Sequence, residues 1–322
     1  MPHKRDDSVA MSIYESLDLP RPERDVVLSI GSFDGVHLGH QHLLRSLVAQ
    51  ARATGRLSAA LTFYPHPRAV LRPDQAPQYL TTQEERNELL LNLGLDLVVV
   101  LRFDRAMAAT SGEDFVRLLY ERLRMRELWV GSDFAMGRGR AFGVPELRAL
   151  GERLGIALRV VPPYEHGGEP VSSTRIRNVL AAGEVAEARE LLGRPVSFRG
   201  QVVEGARRGH RLGFPTANLP LDPNRAIPLD GVYVVWAVVD GCRYAAVANL
   251  GASPSFDSDT RLLEVHLLDY DGDLYGRMMT VEFVQRLRPV VRFEDLDGLV
   301  RQIESDVRVA REVLSGARAF QP

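Results

Sequence analysis

Two different hydrophobic patterns divide this chain. From residue 25 to about 185, short apolar runs alternate with segments whose apolar residues recur at helical spacing. Helices are predicted to begin after the caps Thr82 and Ser111. Five apolar runs are predicted to be strands: 26–30, 58–64, 97–101, 128–130 and 156–161. This alternation predicts an α/β, Rossmann-like domain with a parallel sheet and helices on both faces.

From about residue 195 the apolar runs are separated by Gly, Asp and Pro turns. The runs 231–239 and 262–268, with hairpin signals at Asp240-Gly241 and Asp271-Gly272, predict a small antiparallel β-barrel. A closing amphipathic helix is predicted after residue 293. Its buried stripe would consist of five apolar residues: Leu296, Leu299, Val300, Ile303 and Val307.

Length and composition fit this division. The 322 residues suffice for about two domains, predicted over 22–186 and 190–316.

A net charge of −2 with 25% charged residues makes neither nucleic acid nor an anionic membrane an expected partner. The single cysteine, Cys242, favours a reducing compartment. Residues 1–24 lack the apolar region of a signal peptide, and no run approaches the ~20 residues that span a bilayer. We therefore expect a cytoplasmic protein, and the oligomeric state stays open.

A glycine-rich turn with two histidines follows the first predicted strand. It reads Gly31-Ser32-Phe33-Asp34-Gly35-Val36-His37-Leu38-Gly39-His40. Backbone N–H groups of such a turn, with the positive end of the next helix, form an anion site. His37 and His40 add donors that can carry charge near neutral pH. We predict that this turn, with Gly31, Phe33, Asp34 and Gly35, binds a nucleoside triphosphate that is attacked at its α-phosphate.

A second cluster, Ser172-Ser173-Thr174-Arg175-Ile176-Arg177, follows the last predicted strand and opens a helix. The hydroxyls of Ser172, Ser173 and Thr174 can cap that helix or hold phosphate oxygens, and Arg177 is a planar cation suited to phosphate. Alone, the cluster would be more simply an N-cap, and His37 a capping or core histidine. Both clusters in one α/β domain favour nucleotidyl transfer, in which fixed donors stabilise charge on the phosphoryl oxygens and pyrophosphate.

A third cluster lies in the second half, at Gly209-His210-Arg211-Leu212-Gly213-Phe214-Pro215-Thr216-Ala217-Asn218-Leu219. Thr216 and Asn218 share one face of an extended segment, and their oxygens suit a hard cation such as Mg²⁺. The glycines of this segment, Gly209 and Gly213, could close over a triphosphate together with Arg207, Arg208 and Arg211. Glu264 is the candidate base for attack on a γ-phosphate, because alternation separates it from the apolar face of its strand. A solvent-facing strand glutamate is the simpler alternative.

These motifs resemble known families. The H-x-x-H turn and the serine-threonine cluster resemble the nucleotidylyltransferase superfamily. The longer G-x-F-D-G-x-H-L-G-H form, with Gly131-Ser132-Asp133-Phe134, resembles the FAD synthetase module of bacterial bifunctional riboflavin kinase/FAD synthetases. The G-F-P-T-A-N-L segment and the later L-E-V-H-L-L-D strand resemble that family's riboflavin kinase domain.

The resemblance implies a role for each motif. Thr216 and Asn218, in the segment that contains Pro215, would bind the magnesium nucleotide, and Glu264 would act as the base. Asp133 would belong to the adenylyl-transfer site. Riboflavin would be phosphorylated by ATP to FMN, and AMP from a second ATP would then join FMN to give FAD and pyrophosphate. Both steps would need Mg²⁺, and the partners would be small molecules: ATP, riboflavin and FMN.

The chain departs from the family pattern in three places, and three other functions are alternatives. Ser255 replaces a usual threonine, the loop Gly139–Gly143 is one residue longer, and Ala135-Met136 replaces an arginine-phenylalanine type pair. A pantetheine-phosphate, nicotinamide-nucleotide or glycerol-phosphate nucleotidylyltransferase would not need the P-T-A-N barrel. A flavin-responsive binding protein would not need every catalytic-type residue. A tRNA synthetase would be longer and carry a basic surface.

Overall fold

The computed structural model describes residues 12–205, 213–252 and 261–318. The chain divides into two compact units, one ending at Ser173 and the other beginning at Thr174. The predicted limits of the two catalytic domains, 22–186 and 190–316, stay predictions. Among the described residues, no helix combines the length and the apolar character that crossing a membrane requires.

The first unit is an α/β domain, as predicted. Its sheet consists of six strands: β1 (Ser12–Tyr14), β2 (Val26–Ile30), β3 (Leu57–Tyr64), β4 (Leu97–Arg102), β5 (Met125–Gly131) and β8 (Ala157–Val161). Two short hairpins lie outside this sheet. One pairs β6 (Ala135–Met136) with β7 (Phe142–Gly143), and the other pairs β9 (Glu165–His166) with β10 (Glu169–Pro170). Its helices are α1 (Leu38–Ala53), α2 (Pro67–Leu71), α3 (Gln83–Asn92), α4 (Arg105–Ala109), α5 (Gly112–Arg122) and α6 (Val144–Leu154). The sheet is parallel throughout, in the order β1-β4-β3-β2-β5-β8.

Both faces of this sheet are buried, which explains its near-continuous apolar strands. Val26 and Leu28 of β2 pack in one core cluster with residues of α5 and α6. Val27 packs in the other, with residues of α1 and α3. The predicted capping box of α3 is confirmed, since Thr82 and Glu85 exchange their hydrogen bonds. Because α1 follows β2 directly, its N-terminus lies at the carboxyl edge of the sheet, where ligands of such folds bind.

The second unit is the predicted antiparallel barrel with a closing helix. Its helices are α7 (Ser173–Ala181), which starts at the last residue of the first unit, α8 (Val185–Leu192) and α9 (Leu296–Arg318). Its strands are β11 (Ser197–Gln201), β12 (Ala217–Pro220), β13 (Gly231–Val239), β14 (Cys242–Ala252), β15 (Arg261–Leu267) and β16 (Met278–Arg288). Their order is β11-β16-β13-β14-β15-β12. The Val203 N–H donates to the Asn218 carbonyl at 2.9 Å, which brings the two ends of the sheet together.

One of the two predicted hairpin turns is wrong. Asp240-Gly241 joins β13 to β14 with φ of 49° and 77°, the positive values that a type I′ turn requires. Asp271-Gly272 instead lies in the connection between β15 and β16, which are not neighbours in the sheet. An Asp-Gly pair indicates a change of chain direction but does not determine which strands pair afterwards.

The closing helix is confirmed, but its buried stripe begins later than predicted. Leu296 is 65% exposed, whereas Ala310 and Leu314 are buried against β13 and β14 with Val307 beside them. Asp306 is also buried and accepts three hydrogen bonds from the Arg288 guanidinium of β16. Apolar periodicity identifies the face of a helix, but it does not determine where along the helix the contact starts.

Candidate active sites

The turn after β2 is built by unusual backbone conformations. Phe33 and Val36 adopt positive φ of 45° and 39°, and Gly35 adopts 81°. The Gly31 N–H donates to the Leu61 carbonyl of β3 at 3.0 Å. A Cβ on Gly31 would lie 3.1 Å from the Phe33 ring, so glycine permits this close approach. Phe33 is 2% exposed and meets the His40 ring edge-on, so it packs beneath the turn.

Asp34 connects this turn to two other segments. Its carboxylate is fully buried and accepts hydrogen bonds from the backbone N–H groups of Leu80 and Thr81. The Thr81 hydroxyl accepts a hydrogen bond from the Gly35 N–H at 3.2 Å. The Ser173 hydroxyl donates to the Asp34 carbonyl at 2.9 Å. Asp34 therefore stabilises the turn through its buried carboxylate, and its carbonyl connects the turn to the segment that contains Ser173.

The two histidines form a stacked pair at the start of α1. Their ring centroids lie 3.6 Å apart with an interplanar angle of 19°. His37 caps the helix, and its Nδ1 accepts a hydrogen bond from the His40 backbone N–H at 3.4 Å. An accepting Nδ1 carries no proton, so the ring proton of His37 lies on Nε2. The helix cap thus fixes His37 as a donor through Nε2.

Charge on His40 is disfavoured, contrary to expectation. Burial holds the pKa of His40 well below its ordinary value of 6.5, and the charge of Arg86 acts in the same direction. The prediction that His40 carries charge near neutral pH is therefore wrong. The sequence shows two histidines in a turn but does not show which groups surround the half-buried His40 ring.

Arg86 of α3 is a residue that the sequence analysis missed. It is 1% exposed, and one guanidinium N–H donates to the Ser32 carbonyl at 3.1 Å, directly beneath the turn. Burial lowers its pKa, and the nearby Asp34 opposes that shift. In the sequence it is one arginine on the polar face of a helix, and nothing in its surroundings there indicates a site.

The remaining predicted residues of this site fall in three places. Ser172 and Ser173 follow Val171, whose carbonyl lies 3.3 Å from the Cβ position of Gly39 on α1. Thr174 and Arg177 continue on α7 in the second unit, so their part in the site stays a prediction. Asp133 is exposed in the turn after β5, which pairs with β2 in the sheet.

The loop that is longer than the family pattern forms the end of a hairpin. Ala135 and Met136 pair with Gly143 and Phe142. Gly139 and Arg140 between them adopt positive φ of 65° and 57°. The Phe142 ring packs on Gly112, where a Cβ would lie only 2.3 Å from it. The loop is thus packed against the start of α5.

In the barrel, the strand register places the candidate base between two asparagines. Asn218 of β12 is opposite Glu264 of β15, and Glu264 is opposite Asn249 of β14. The Asn249 Nδ2 donates to Glu264 Oε2 at 3.0 Å. Glu264 is half-buried, whereas Val265 and Leu263 beside it are buried, as the alternation predicted.

The segment that contains Thr216 is held against β15 by His266. His266 Nδ1 lies 2.8 Å from the Pro215 carbonyl, and the Phe214 ring meets the His266 ring edge-on. Thr216 is half-buried and Asn218 is 5% exposed. Gly213 is exposed with φ of 85°. Arg207, Arg208, Gly209, Arg211 and Ser255 lie outside the described residues.

Gly205 and Asn249 also belong to this site and were not predicted for it. A Cβ on Gly205 would lie 2.3 Å from Asn218 Nδ2, so the glycine is where the asparagine side chain packs. Asn249 lies in the segment Asn249-Leu250-Gly251 of β14 and contacts Glu264 across the strand pair. Neither contact could be inferred from the sequence alone, because both depend on which strands are neighbours.

Comparison with known proteins matches both units. Residues 19–175 match the sequence model of the family described as FAD synthetase, and residues 192–314 match that of riboflavin kinase. The chain is 40% identical over 304 residues to a bifunctional riboflavin kinase/FMN adenylyltransferase from Pseudomonas fluorescens, covering 94% of this chain and 97% of the relative. The enzyme of that name from Escherichia coli K12 is 39% identical, covering 90% and 93%. A crystal structure of a macrolide-efflux protein from Streptococcus pneumoniae superposes with a TM-score of 0.85 and 31% identity, covering 93% of this chain and 98% of that one.

Proposed function

Since this chain belongs to the family of bifunctional riboflavin kinase/FMN adenylyltransferases, we propose which of its residues perform each reaction. The enzyme phosphorylates riboflavin with ATP to give FMN. It also joins AMP from ATP to FMN, which gives FAD and pyrophosphate. ATP and flavins are therefore its substrates, and the assignment of residues to the two reactions is the proposal.

The stacked histidine turn binds the ATP that is used for adenylyl transfer. A phosphate oxygen of FMN attacks the α-phosphorus, and the bond from that phosphorus to the pyrophosphate oxygen breaks. His37, through its Nε2–H, and the first backbone N–H groups of α1 stabilise the negative charge that develops. His40 contributes as a neutral ring, because its pKa is lowered by burial. Support comes from the Ser173–Asp34 hydrogen bond, which joins the serine cluster to this turn.

Three further groups of residues belong to the adenylyl-transfer site. Ser173, Thr174 and Arg177 hold the β- and γ-phosphates, because hydroxyls and a planar cation at a helix start suit phosphate oxygens. Asp133 lies in the turn after the neighbouring strand β5 and faces the same edge of the sheet. Phe33 and Asp34 act by holding the turn in shape, since both are buried.

Glu264 is the base of the kinase reaction. Its carboxylate takes the proton of the riboflavin alcohol as the alcohol oxygen attacks the γ-phosphorus of ATP and ADP leaves. One observation carries this assignment: the register of β12, β15 and β14 sets Glu264 directly between Asn218 and Asn249. Such a polar row on a barrel is not required for folding.

Mg²⁺ fits the donors next to this base. The described residues contain no cluster of three or more His, Cys, Asp or Glu residues that could hold a metal. Thr216 and Asn218 instead offer a hydroxyl and an amide oxygen, and Mg²⁺ accepts such ligands while keeping phosphates and waters. When bound, the ion would neutralise charge on the ATP phosphates. The protein side chains orient the nucleotide toward Glu264.

The partners and location follow the same reasoning. We infer that small molecules, rather than nucleic acid, are the partners, because the net charge of −2 provides no general attraction to a polyanion. The single Cys242 supports a reducing compartment such as the cytoplasm.

The division of labour can be tested with two variants of the full chain. Glu264→Gln should lose FMN formation by roughly 100-fold or more, while FAD formation from supplied FMN is retained. The double variant His37→Ala/His40→Ala should show the reverse pattern. Flavin products are separated by chromatography over time. If either variant, still folded, lost both reactions, the assignment of one reaction to each site would be wrong.

A further inference from the structure

The Glu264 carboxylate is held by one specific neighbour. Asn249 Nδ2 donates to Oε2 at 3.0 Å, across the β14–β15 pair. That hydrogen bond engages one carboxylate oxygen and leaves Oε1 as the second acceptor. A glutamate side chain has three rotatable torsions, so a partner that fixes one oxygen also fixes the direction of the other.

The donor itself is rigidly placed. Asn249 lies inside β14, which pairs with β13 on one side and with β15 on the other. Its sequence neighbours Ala248 and Leu250 are fully buried. The backbone of Asn249 is therefore fixed by two strand ladders, and its short side chain reaches Glu264 directly.

We propose that Asn249 is a positioning residue for the kinase reaction, which holds Glu264 so that its Oε1 faces the attacking alcohol. The inference rests on the proposed role of Glu264 as the base. Asn249 acts through Glu264 and touches neither substrate. Since a base must lie within hydrogen-bond reach of the proton it removes, a carboxylate free to rotate spends less time in the reactive position.

The test uses Asn249→Leu and Asn249→Asp in the full chain. Leucine is similar in size but cannot donate a hydrogen bond, and aspartate keeps the shape of asparagine but replaces the donor with an acceptor. For both, kcat of FMN formation should fall roughly 10- to 100-fold, while the KM values for riboflavin and ATP change by less than about threefold. A residue needed only for packing would tolerate the aspartate, so near-normal kcat in that variant would overturn the proposal.

A double variant separates action through Glu264 from independent action. In the Glu264→Gln background, Asn249→Leu should lower kcat no further than about twofold, because the group it positions is already absent. If the two losses multiply, Asn249 acts on its own and the proposal is wrong. If Glu264→Gln alone keeps normal FMN formation, the proposed base is wrong, and the positioning role is overturned with it.

Two controls exclude a general effect on folding. Arg243 lies on the same strand and donates to the Glu282 carboxylate at 2.7 Å, six positions from Asn249 and so roughly 20 Å away. Arg243→Leu removes the same kind of contact and should leave FMN formation within about twofold. Thermal unfolding, measured on every variant, reports whether the second unit is folded, and FAD formation from supplied FMN reports whether the first unit is intact. If Arg243→Leu matched the kcat loss of Asn249→Leu, the specific role of Asn249 would be overturned.

Discussion

Replacing Gly205 by alanine should disable the kinase through Asn218. The new Cβ would lie 2.3 Å from Asn218 Nδ2 and 2.8 Å from its Cγ, both far inside van der Waals contact. Asn218 is 5% exposed, so its side chain has little space to turn into. Since Gly205 has no positive φ, the substitution adds no backbone strain, and the effect should come from displacement of the amide.

The magnitude follows from the contact that is lost. A hydrogen bond or ligand contact to a charged group contributes about 1.5–3 kcal/mol. At about 1.4 kcal/mol for each factor of ten, kcat/KM for ATP in FMN formation should fall roughly 10- to 150-fold. Crowding in the barrel should also destabilise the second unit by about 1–3 kcal/mol, which thermal unfolding would record.

The structure supplies a matched control at Gly200 of β11. A Cβ there would have its nearest neighbours at 3.9 and 4.0 Å, which is ordinary contact. Gly200→Ala should therefore leave kcat/KM within about twofold. The measurement compares kcat/KM for ATP between the two variants by steady-state kinetics, at a temperature where both are folded. If Gly205→Ala performed like Gly200→Ala, the amide of Asn218 would not belong to the nucleotide site.

Three further predictions concern charge and support. Burial lowers the pKa of His40, so below about pH 6.5 the unfolded chain binds a proton that the folded chain does not bind. Acidification therefore destabilises the first unit. In the variant His40→Asn, the decrease in Tm between about pH 7.5 and about pH 5.5 should be smaller. Asp306→Ala should cost about 1.5–3 kcal/mol of unfolding free energy, because the half-buried guanidinium of Arg288 loses its three hydrogen bonds to a buried carboxylate. Arg311→Ala, which removes an exposed ion pair from the same helix, should leave Tm nearly unchanged. Asp34→Asn should lower FAD formation and spare FMN formation in product chromatography, because the amide NH2 that replaces Oδ2 cannot accept from the Leu80 N–H, which now donates to Oδ2 at 3.1 Å. Equal loss of both reactions would contradict a local role.

Patterns that are local in sequence were predicted well. The strand β2, the cap Thr82 and the turn Asp240-Gly241 each depend on residues within a few positions of one another. The three motif clusters were predicted for the same reason, because each lies in one short segment. The sequence also predicted that Glu264 lies on the polar face of its strand.

Contacts between distant segments could not be predicted. Asn249 and Gly205 reach the kinase site through strand pairing, which the sequence pattern leaves open. Arg86 lies under the histidine turn because α3 packs there, and its charge acts on the half-buried His40 ring. Burial of this kind is a property of the assembled core, and it determines which groups carry charge.

The central claim is that one chain holds two ATP sites, each serving attack on a different phosphorus atom. The most direct measurement incubates Glu264→Gln with FMN and, separately, with riboflavin, using ATP labelled at the α- or the γ-phosphate. We predict α-label in FAD made from FMN, no γ-label in any flavin, and no labelled flavin from riboflavin. Appearance of γ-labelled FMN or FAD from riboflavin would contradict the account, because phosphate would then reach the flavin without the barrel site as described.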